Sequence, residues 1–595
     1  MKPEFSNHLS KTIINRNYIM PQRVVLIIVL LFIMNNSGSG QGLIISSGTN
    51  LMASGGTMAL KGNVVNNGSY INSNNTTIFS GNVQVVSGTT PVVFNNLTVG
   101  SGSTTSLTTV GQSINGILLC DGIINANGNV TLLSTASQTA LIDGSGTGQV
   151  NGNITIQRYL PSGFGYKYLS SPFQAATVYE LSDNIKLTDP FPTFYRYDES
   201  STTSGWVSYV DPLGILNPMQ GYAGNFGSSD PPLIFDVTGV VNNGSLSTTL
   251  FNHNNTYSQG FNLVGNPYPS PIDWNAPSGW TKINIDNALY YFEASSTDEY
   301  GGSYVTYSNG VSSNGLATNL IPSMQGFFVH VANGTWPVTG TMATDNDVRV
   351  TDLIHPLIKS EISLRPLIRL TAEFSDDTVS VDPVVIYFDE KATDEFDGQL
   401  DALKLMNTDF MVPNLYAVGS DGVKLSISAL PVISDTLYKV PLGLKINRDG
   451  NIIFKIRALE GNLADMEIYI SDIVAKTEQD LLSGKDYRLD LTTGQYENRF
   501  FLNFRNIGTG IPDNTAGDDL FSVYCSHGIL KLKISTLPAA EGTLIISNLT
   551  GQVPLIKKYY EPGYYELNPG LKNGVYIVSF LSGTKRCSKK IFIDY

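Results

Sequence analysis

Charge is scarce in this chain. Asp, Glu, Lys and Arg make up 14% of its 595 residues, against ~25% in an average soluble domain. The hydrophobic fraction is an ordinary 42%, so the scarcity does not signal disorder, which needs low hydrophobicity with high net charge. It excludes a coiled coil, which requires Glu and Lys in quantity. Basic residues are the scarcer kind: 36 Lys and Arg stand against 50 Asp and Glu, a formal net charge of −14. A surface that neutralises phosphates is not available, which argues against nucleic acid as a partner.

Cysteine and histidine are few. Cys120, Cys525 and Cys587 lie far apart with no Cys-x-x-Cys, so neither a disulfide framework nor a zinc site is present. Cys525 and Cys587 fall in the same terminal unit and either pair or stay as thiols. Behind the leader the histidines are His253, His330, His355 and His527, with no His-x-x-x-His among them. The Gly-x-Ser-x-Gly elbow and the Gly-x-x-x-x-Gly-Lys phosphate loop are missing too. His330 closes the apolar run Phe327-Phe328-Val329 and reads as a strand-end residue, not a ligand. No enzyme is expected. A hydrolase is the least favoured alternative, because a pair of glycosidase carboxylates leaves no signature in sequence.

Long apolar runs are missing but for one, Val24–Met34, behind Arg23 and ahead of Ser37-Gly38-Ser39-Gly40. A basic flank, an apolar stretch and a small-residue exit are the parts of a signal peptide, here residues 1–40. Met20 can serve as the start. The run is shorter than the ~20 residues that cross a bilayer, so a retained anchor is the second reading. No transmembrane helix is expected in the mature chain, and the expected location is secreted or at the cell surface.

What remains is rich in glycine, asparagine and threonine. Residues 41–157 contain only Lys61, Asp121 and Asp143 as charges. Short β-branched clusters alternate with Gly and Asn, the composition of strands separated by turns. Gly-Asn recurs at Gly62, Gly81, Gly128 and Gly152, steps close to one, two and one multiples of ~20 residues, as one coil per repeat gives. This region is expected to be β-solenoid-like; a sandwich with polar loops is the alternative.

Residues 158–343 carry an internal duplication. Gly165–Phe173 aligns with Gly260–Tyr268, Phe194–Tyr197 with Leu289–Phe292, Trp206–Tyr209 with Tyr304–Tyr307, and Met219–Tyr222 with Met324–Phe327. Alternating aromatics predict an antiparallel sheet in each half. The prolines of Asn266-Pro267-Tyr268-Pro269-Ser270-Pro271 make that run an extended edge or loop. Residues 344–508 alternate more ordinarily and predict a β-sandwich of immunoglobulin-like build, with one short helix where Phe396, Leu400 and Leu403 share a face. Two acidic clusters, Asp345-Asn346-Asp347 with Asp352, and Asp394, Asp397 and Asp401, offer oxygen ligands of the kind calcium takes. The favoured reading is solvated turns and a helix cap, with no cofactor. Residues 509–519 have linker composition.

The terminal unit, 520–595, holds the most specific pattern. Asn548-Leu549-Thr550-Gly551-Gln552-Val553 precedes Gly574-Val575-Tyr576-Ile577-Val578, and the chain closes on Lys589-Lys590-Ile591-Phe592-Ile593. This resembles the type A C-terminal sorting domain of the type IX secretion system of the Bacteroidetes, whose pattern has a D/N-x-x-G-x-V hairpin, a G-V-Y-I-V strand and a basic last strand. Cys525-Ser526-His527-Gly528 departs from the Asn-Pro type of turn common in strand one. The resemblance implies a seven-stranded sandwich read by an outer-membrane translocon, with Gly551, Gly574, Val575, Tyr576, Lys589 and Lys590 carrying the motif. It also implies cargo that is released or attached to surface lipopolysaccharide.

Together these readings predict an all-β, exported multidomain protein with an adhesive or structural role. Glycan binding is the alternative, with Trp206, Trp274, Trp280 and Trp336 as candidates for stacking on sugar rings.

Overall fold

A computed structural model describes residues 42–593 except 189–190, 192, 355–364, 433–436, 462, 464–465, 507–519, 527–528, 549–550 and 584. The leader, the linker and His355 and His527 therefore lie outside the described residues. Those described form an all-β chain: strands, turns and two short 3-10 turns at Val178–Leu181 and Asn346–Val348.

The N-terminal region is a β-solenoid of about five coils, with parallel strands stacked into three faces. Along one face Leu43 pairs with Val64, Val64 with Val86, Val83 with Thr104, Thr104 with Ile123 and Ile123 with Gln149, offsets of 21, 22, 21, 19 and 26 residues. Side chains alternate in and out along each strand. The inward set, including Phe79, Phe94, Leu97, Val99, Ile114 and Leu132, is buried. Corners fall on Asn74, Asn127, Gly102, Gly128 and Gly152, all at positive φ.

The stacking explains the missing charge. Equivalent outward positions in successive coils sit one strand spacing apart, about 4.8 Å, where like charges repel. Neutral amides and hydroxyls bond along the stack instead. Asn151 Nδ2 donates to Asn125 Oδ1 at 3.2 Å and Asn125 Nδ2 to Ser106 Oγ at 3.1 Å. The solenoid is closed at its far end by Leu233–Gly239, which runs antiparallel to Ile154–Leu160 and caps the stack.

Two sheets follow, with the same strand order. In the first, Tyr166–Ser170 pairs with Gly221–Asn225, then Phe194–Tyr197, then Trp206–Ser208; in the second, Phe261–Gly265 pairs with Gly326–His330, then Ala288–Ala294, then Gly302–Ser308. Their contact is reciprocal. Ser170 N donates to Met324 O and Gly265 N to Met219 O, each at 3.1 Å. Bridges join Leu169 to Gln325 and Val264 to Gln220. These are equivalent positions in the two halves, so the halves meet as an isologous pair does. Met219 and Met324 both take positive φ, 62° and 61°, which aims each carbonyl at the other half. The approach leaves no room for a Cβ at Gly326, where one would lie 2.7 Å from Leu169 O.

Each sheet has two packed faces. Leu169, Phe194 and Tyr222 join the solenoid core. The opposite face, with Tyr168 and Ala223, meets Phe261, Leu263, Tyr290 and Phe328 of the second sheet. That same core continues into Leu367, Tyr387 and Ile427 of the region beyond. Two half-buried arginines tie the layers together. Arg158 donates to Ser323 O and to Gln325 Oε1. Arg349 donates to Ile142 O, Ser270 Oγ and Asn346 Oδ1, and burial lowers both to about 10.

From Leu367 to Asn506 the strands form one continuous ladder, not two separate immunoglobulin-like sheets, and it contains a parallel pair, Asp377–Phe388 with Lys424–Leu430. The ladder curls into a sandwich-like body. Phe454 and Phe500 sit six strands apart in the order, yet their ring centroids are 5.0 Å apart. The expected helix at Phe396–Leu403 is absent: these residues form turns, and Leu403 enters a short strand paired with Leu425. The apolar spacing of Phe396, Leu400 and Leu403 still serves burial, against the neighbouring cores. Asp397 caps a single turn, its carbonyl accepting from Leu400 N and Asp401 N, and the turn ends where Ala402 and Leu403 enter the strand.

The last unit has seven strands in sheets of three and four. Phe521, Leu532, Leu544, Ile546, Phe580 and Ile593 make a core of its own.

Candidate functional site

A cleft of about 400 Å³ opens where the two like sheets splay apart. Its floor is aromatic: Tyr168 is buried and stacks on Phe292 at 4.9 Å with the planes 19° apart. Trp206 forms one wall. Its ring is held edge-on by Tyr197 at 5.0 Å and tilted against Tyr168 at 5.7 Å. Tyr304 lies opposite, and its hydroxyl is 3.0 Å from that of Tyr168. Trp206 and Tyr304 are equivalent positions of the duplication, so each half lends the same place in its sheet to the cleft. Tyr166, Tyr195 and Tyr300 carry the aromatic surface outward, and Tyr300 is 66% exposed.

The polar groups of the cleft are hydroxyls. Besides the tyrosines they belong to Ser204 and to Thr408, whose Oγ1 accepts from Gly302 N at 3.0 Å. No lining residue carries a formal charge. Burial raises Tyr166 and Tyr304 to about 12, so both stay neutral at any physiological pH.

The four tryptophans separate into roles. Trp274 is fully buried, with Lys282 Nζ 3.8 Å from its ring centroid. Trp280 packs on it at 5.1 Å and donates to Asp273 O at 2.7 Å. Burial lowers the Lys282 ammonium to about 8. That group is a structural box, and both rings are spent in it. Trp336 is 47% exposed on a loop. Only Trp206 of the four lines the cleft; the tyrosines around it were missed in sequence, because alternating aromatics there read simply as an inward face.

A larger cleft, about 880 Å³, lies between the second sheet and the following body. Four of its six charged side chains are paired, Arg365 with Asp389 at 3.8 Å and Arg369 with Glu460, while Glu390 and Lys391 are exposed at its edge. The two described histidines are also occupied. His330 is buried at the end of its strand, its Nδ1 2.5 Å from Asp286 Oδ2. His253 Nδ1 is 2.5 Å from Glu199 Oε2, and that carboxylate also accepts from Ser258 Oγ and Gly260 N.

The acidic clusters are used in turns. Asp345 caps the turn Asn346–Val348 by accepting from Asp347 N, and Asp352 accepts from Ile354 N. Asp394 accepts from Tyr438 Oη, and Asp401 from Asp397 N and Ala429 N. Among the described residues no group of three or more His, Cys, Asp or Glu is arranged to hold a metal ion. The Asn266 run is a staple: its buried Nδ2 donates to Ser270 O and Ile321 O, and Oδ1 accepts from Tyr268 N.

In the terminal unit Gly551 takes φ 83° in the hairpin after Gly542–Asn548 and donates to Asn548 O. Gly574, Val575 and Tyr576 open a strand paired with the last one, Gly574 against Ile593 and Tyr576 against Ile591. Lys589 and Lys590 lie opposite Val578 and Ile577, and Lys590 is exposed. Cys525 and Cys587 both pack against this core and form no disulfide.

A family model described as a domain of unknown function, DUF8693, matches residues 62–504. The chain belongs to the DUF8693 family. The DUF8693 match runs through the solenoid, the paired sheets and the curled ladder, so the cleft lies wholly inside it, and the match stops before the seven-stranded unit. No curated protein matches the chain.

Proposed function

We propose that this protein is a non-catalytic, exported surface or secreted protein that leaves the cell by the type IX route and serves an adhesive or structural role. One observation carries the reading. The C-terminal residues that resemble the sorting domain fold as a seven-stranded unit with its own core, outside the family's shared body. A unit with its own core can be read apart from its cargo, as a C-terminal address requires. In this reading the outer-membrane translocon is the partner, the cargo is released or attached to surface lipopolysaccharide, and Val24–Met34 directs the first export step. No helix among the described residues is long and apolar enough to cross a membrane. Deleting Leu520–Tyr595 tests it: the truncated chain is expected to accumulate in the periplasm, and unchanged secretion rejects the route.

Glycan binding is a second reading, favoured by the place of Trp206 in a preformed aromatic cleft. A hydrolase, and calcium as a cofactor, draw no support from the described geometry.

A further inference from the structure

We infer that the cleft between the paired sheets is a binding site for an uncharged, pyranose-based saccharide; this rests on the glycan-binding reading and names the site and the ligand class. The chemistry of the lining selects the class. A pyranose ring presents a face of C–H groups and an edge of hydroxyls. It needs an aromatic platform together with neutral hydrogen-bonding groups, and recognition sites are concave, mostly apolar and few in their polar contacts. The cleft supplies both. Trp206 packs on Tyr168, Tyr168 stacks on Phe292 and Phe292 packs on Tyr304, all lining the cleft, and hydroxyls of Tyr166, Tyr195 and Tyr300 continue outward.

Charge narrows the class further. A sulfated or carboxylated sugar, a phosphate or an acidic peptide would enter a site with no cation to neutralise it, and desolvating an unpaired charge is costly. A purely apolar ligand would cover hydroxyls that keep a proton or lone pair to offer beyond bonds such as that between Tyr168 and Tyr304, also at a cost. A neutral saccharide satisfies both surfaces. The walls are prebuilt: Trp206 packs against Tyr168, Tyr195, Tyr197 and Phe328, so little side-chain freedom is lost on binding. A volume of about 400 Å³ falls at the small end of ligand pockets, which suits the end of a chain or a short segment.

The full secreted chain should be titrated by calorimetry and tryptophan fluorescence with neutral oligosaccharides (cello-, manno-, malto- and chitohexaose), and with heparin and polygalacturonate as acidic controls. At least one neutral hexaose is expected to bind and neither acidic polymer to compete. Trp206→Ala should weaken binding about tenfold or more, the scale of a buried aromatic anchor, and Tyr300→Ala less. Trp206→Phe should recover part of it and Trp336→Ala none of the loss. Should Trp206→Ala fail to fold, Tyr300→Ala, at an exposed ring, carries the same test. Failure of every neutral hexaose to bind, binding unaffected by both substitutions, or preference for an acidic polymer or an apolar peptide overturns the inference. A neutral hexaose whose binding survives both substitutions overturns this site and keeps the glycan-binding reading, whereas failure of every hexaose overturns both.

Discussion

Two regions of this molecule repeat themselves, and they do it differently. The solenoid repeats by translation: each coil meets the next as that coil meets the one after, so a residue's neighbour is its own equivalent. The paired sheets repeat by reciprocal contact: Ser170 meets Met324 as Gly265 meets Met219, and outward from that contact each position faces an unlike one. Translation punishes any side chain that cannot stack on itself, which removes charge and leaves Asn, Thr, Ser and Val. The reciprocal arrangement lets the halves diverge. At equivalent positions one half carries Trp206 and the other Tyr304, and both line the cleft.

The comparison can be broken at its aromatic layer first. Phe328 touches Tyr168, Tyr197 and Trp206 across the two halves, so Phe328→Ala should cost about 3–5 kcal/mol, read by thermal or urea unfolding. An effect below 1 kcal/mol would mean the halves are not held by this layer.

The next effect lies where the sheets meet the following body. Burial, with Asp397 and Asp421 nearby, raises Asp401 to about 7. The folded chain then keeps a proton that the unfolded chain gives up near pH 4, so stability should fall as pH rises from 4 to 7 and level off above. The loss from this group is on the order of 2–4 kcal/mol. Asp401→Asn should flatten that slope while lowering stability at acid pH, because one of two backbone donors loses its acceptor. The same slope in both proteins would assign it elsewhere.

A smaller effect tests the reciprocal contact. Gly326→Ala places a methyl 2.7 Å from Leu169 O and should cost about 1–3 kcal/mol, whereas Gly310→Ala, which meets nothing within 4 Å but keeps φ 83°, should cost only the backbone strain of about 1 kcal/mol.

The smallest concerns the stack. Asn125→Asp with Asn151→Asp puts two carboxylates on neighbouring rungs. The double variant should be less stable than the sum of the singles by about 0.5–1 kcal/mol at low salt. The excess should vanish in 1 M salt or below pH 4; a salt-independent excess would mean that charge is not the reason the stack is neutral.

Much of this architecture is legible in the residues. The Gly-Asn spacing marks coils because corners need glycine: Gly128 and Gly152 take positive φ, and Gly81 leaves no room for a Cβ, which would lie 2.3 Å from Lys61 O of the previous coil. Missed or misplaced features are those settled by tertiary contact. Phe396, Leu400 and Leu403 keep helical spacing yet lie in turns and a short strand, because that spacing records which residues are buried and not how the backbone carries them there. Trp274 and Trp206 look alike in sequence; one is enclosed by Lys282 and Trp280 and the other edges a cleft. The cleft itself draws on residues from Tyr166 to Thr408, and no local pattern announces that convergence.

In the proposed route residues 520–595 act as a transferable address. Fused to a reporter that a signal peptide alone delivers to the periplasm, this unit should carry the reporter to the cell surface or the medium in a type IX-competent cell and leave it in the periplasm when the translocon is deleted. A reporter that stays in the periplasm of the competent cell, or that escapes equally without the translocon, would contradict it.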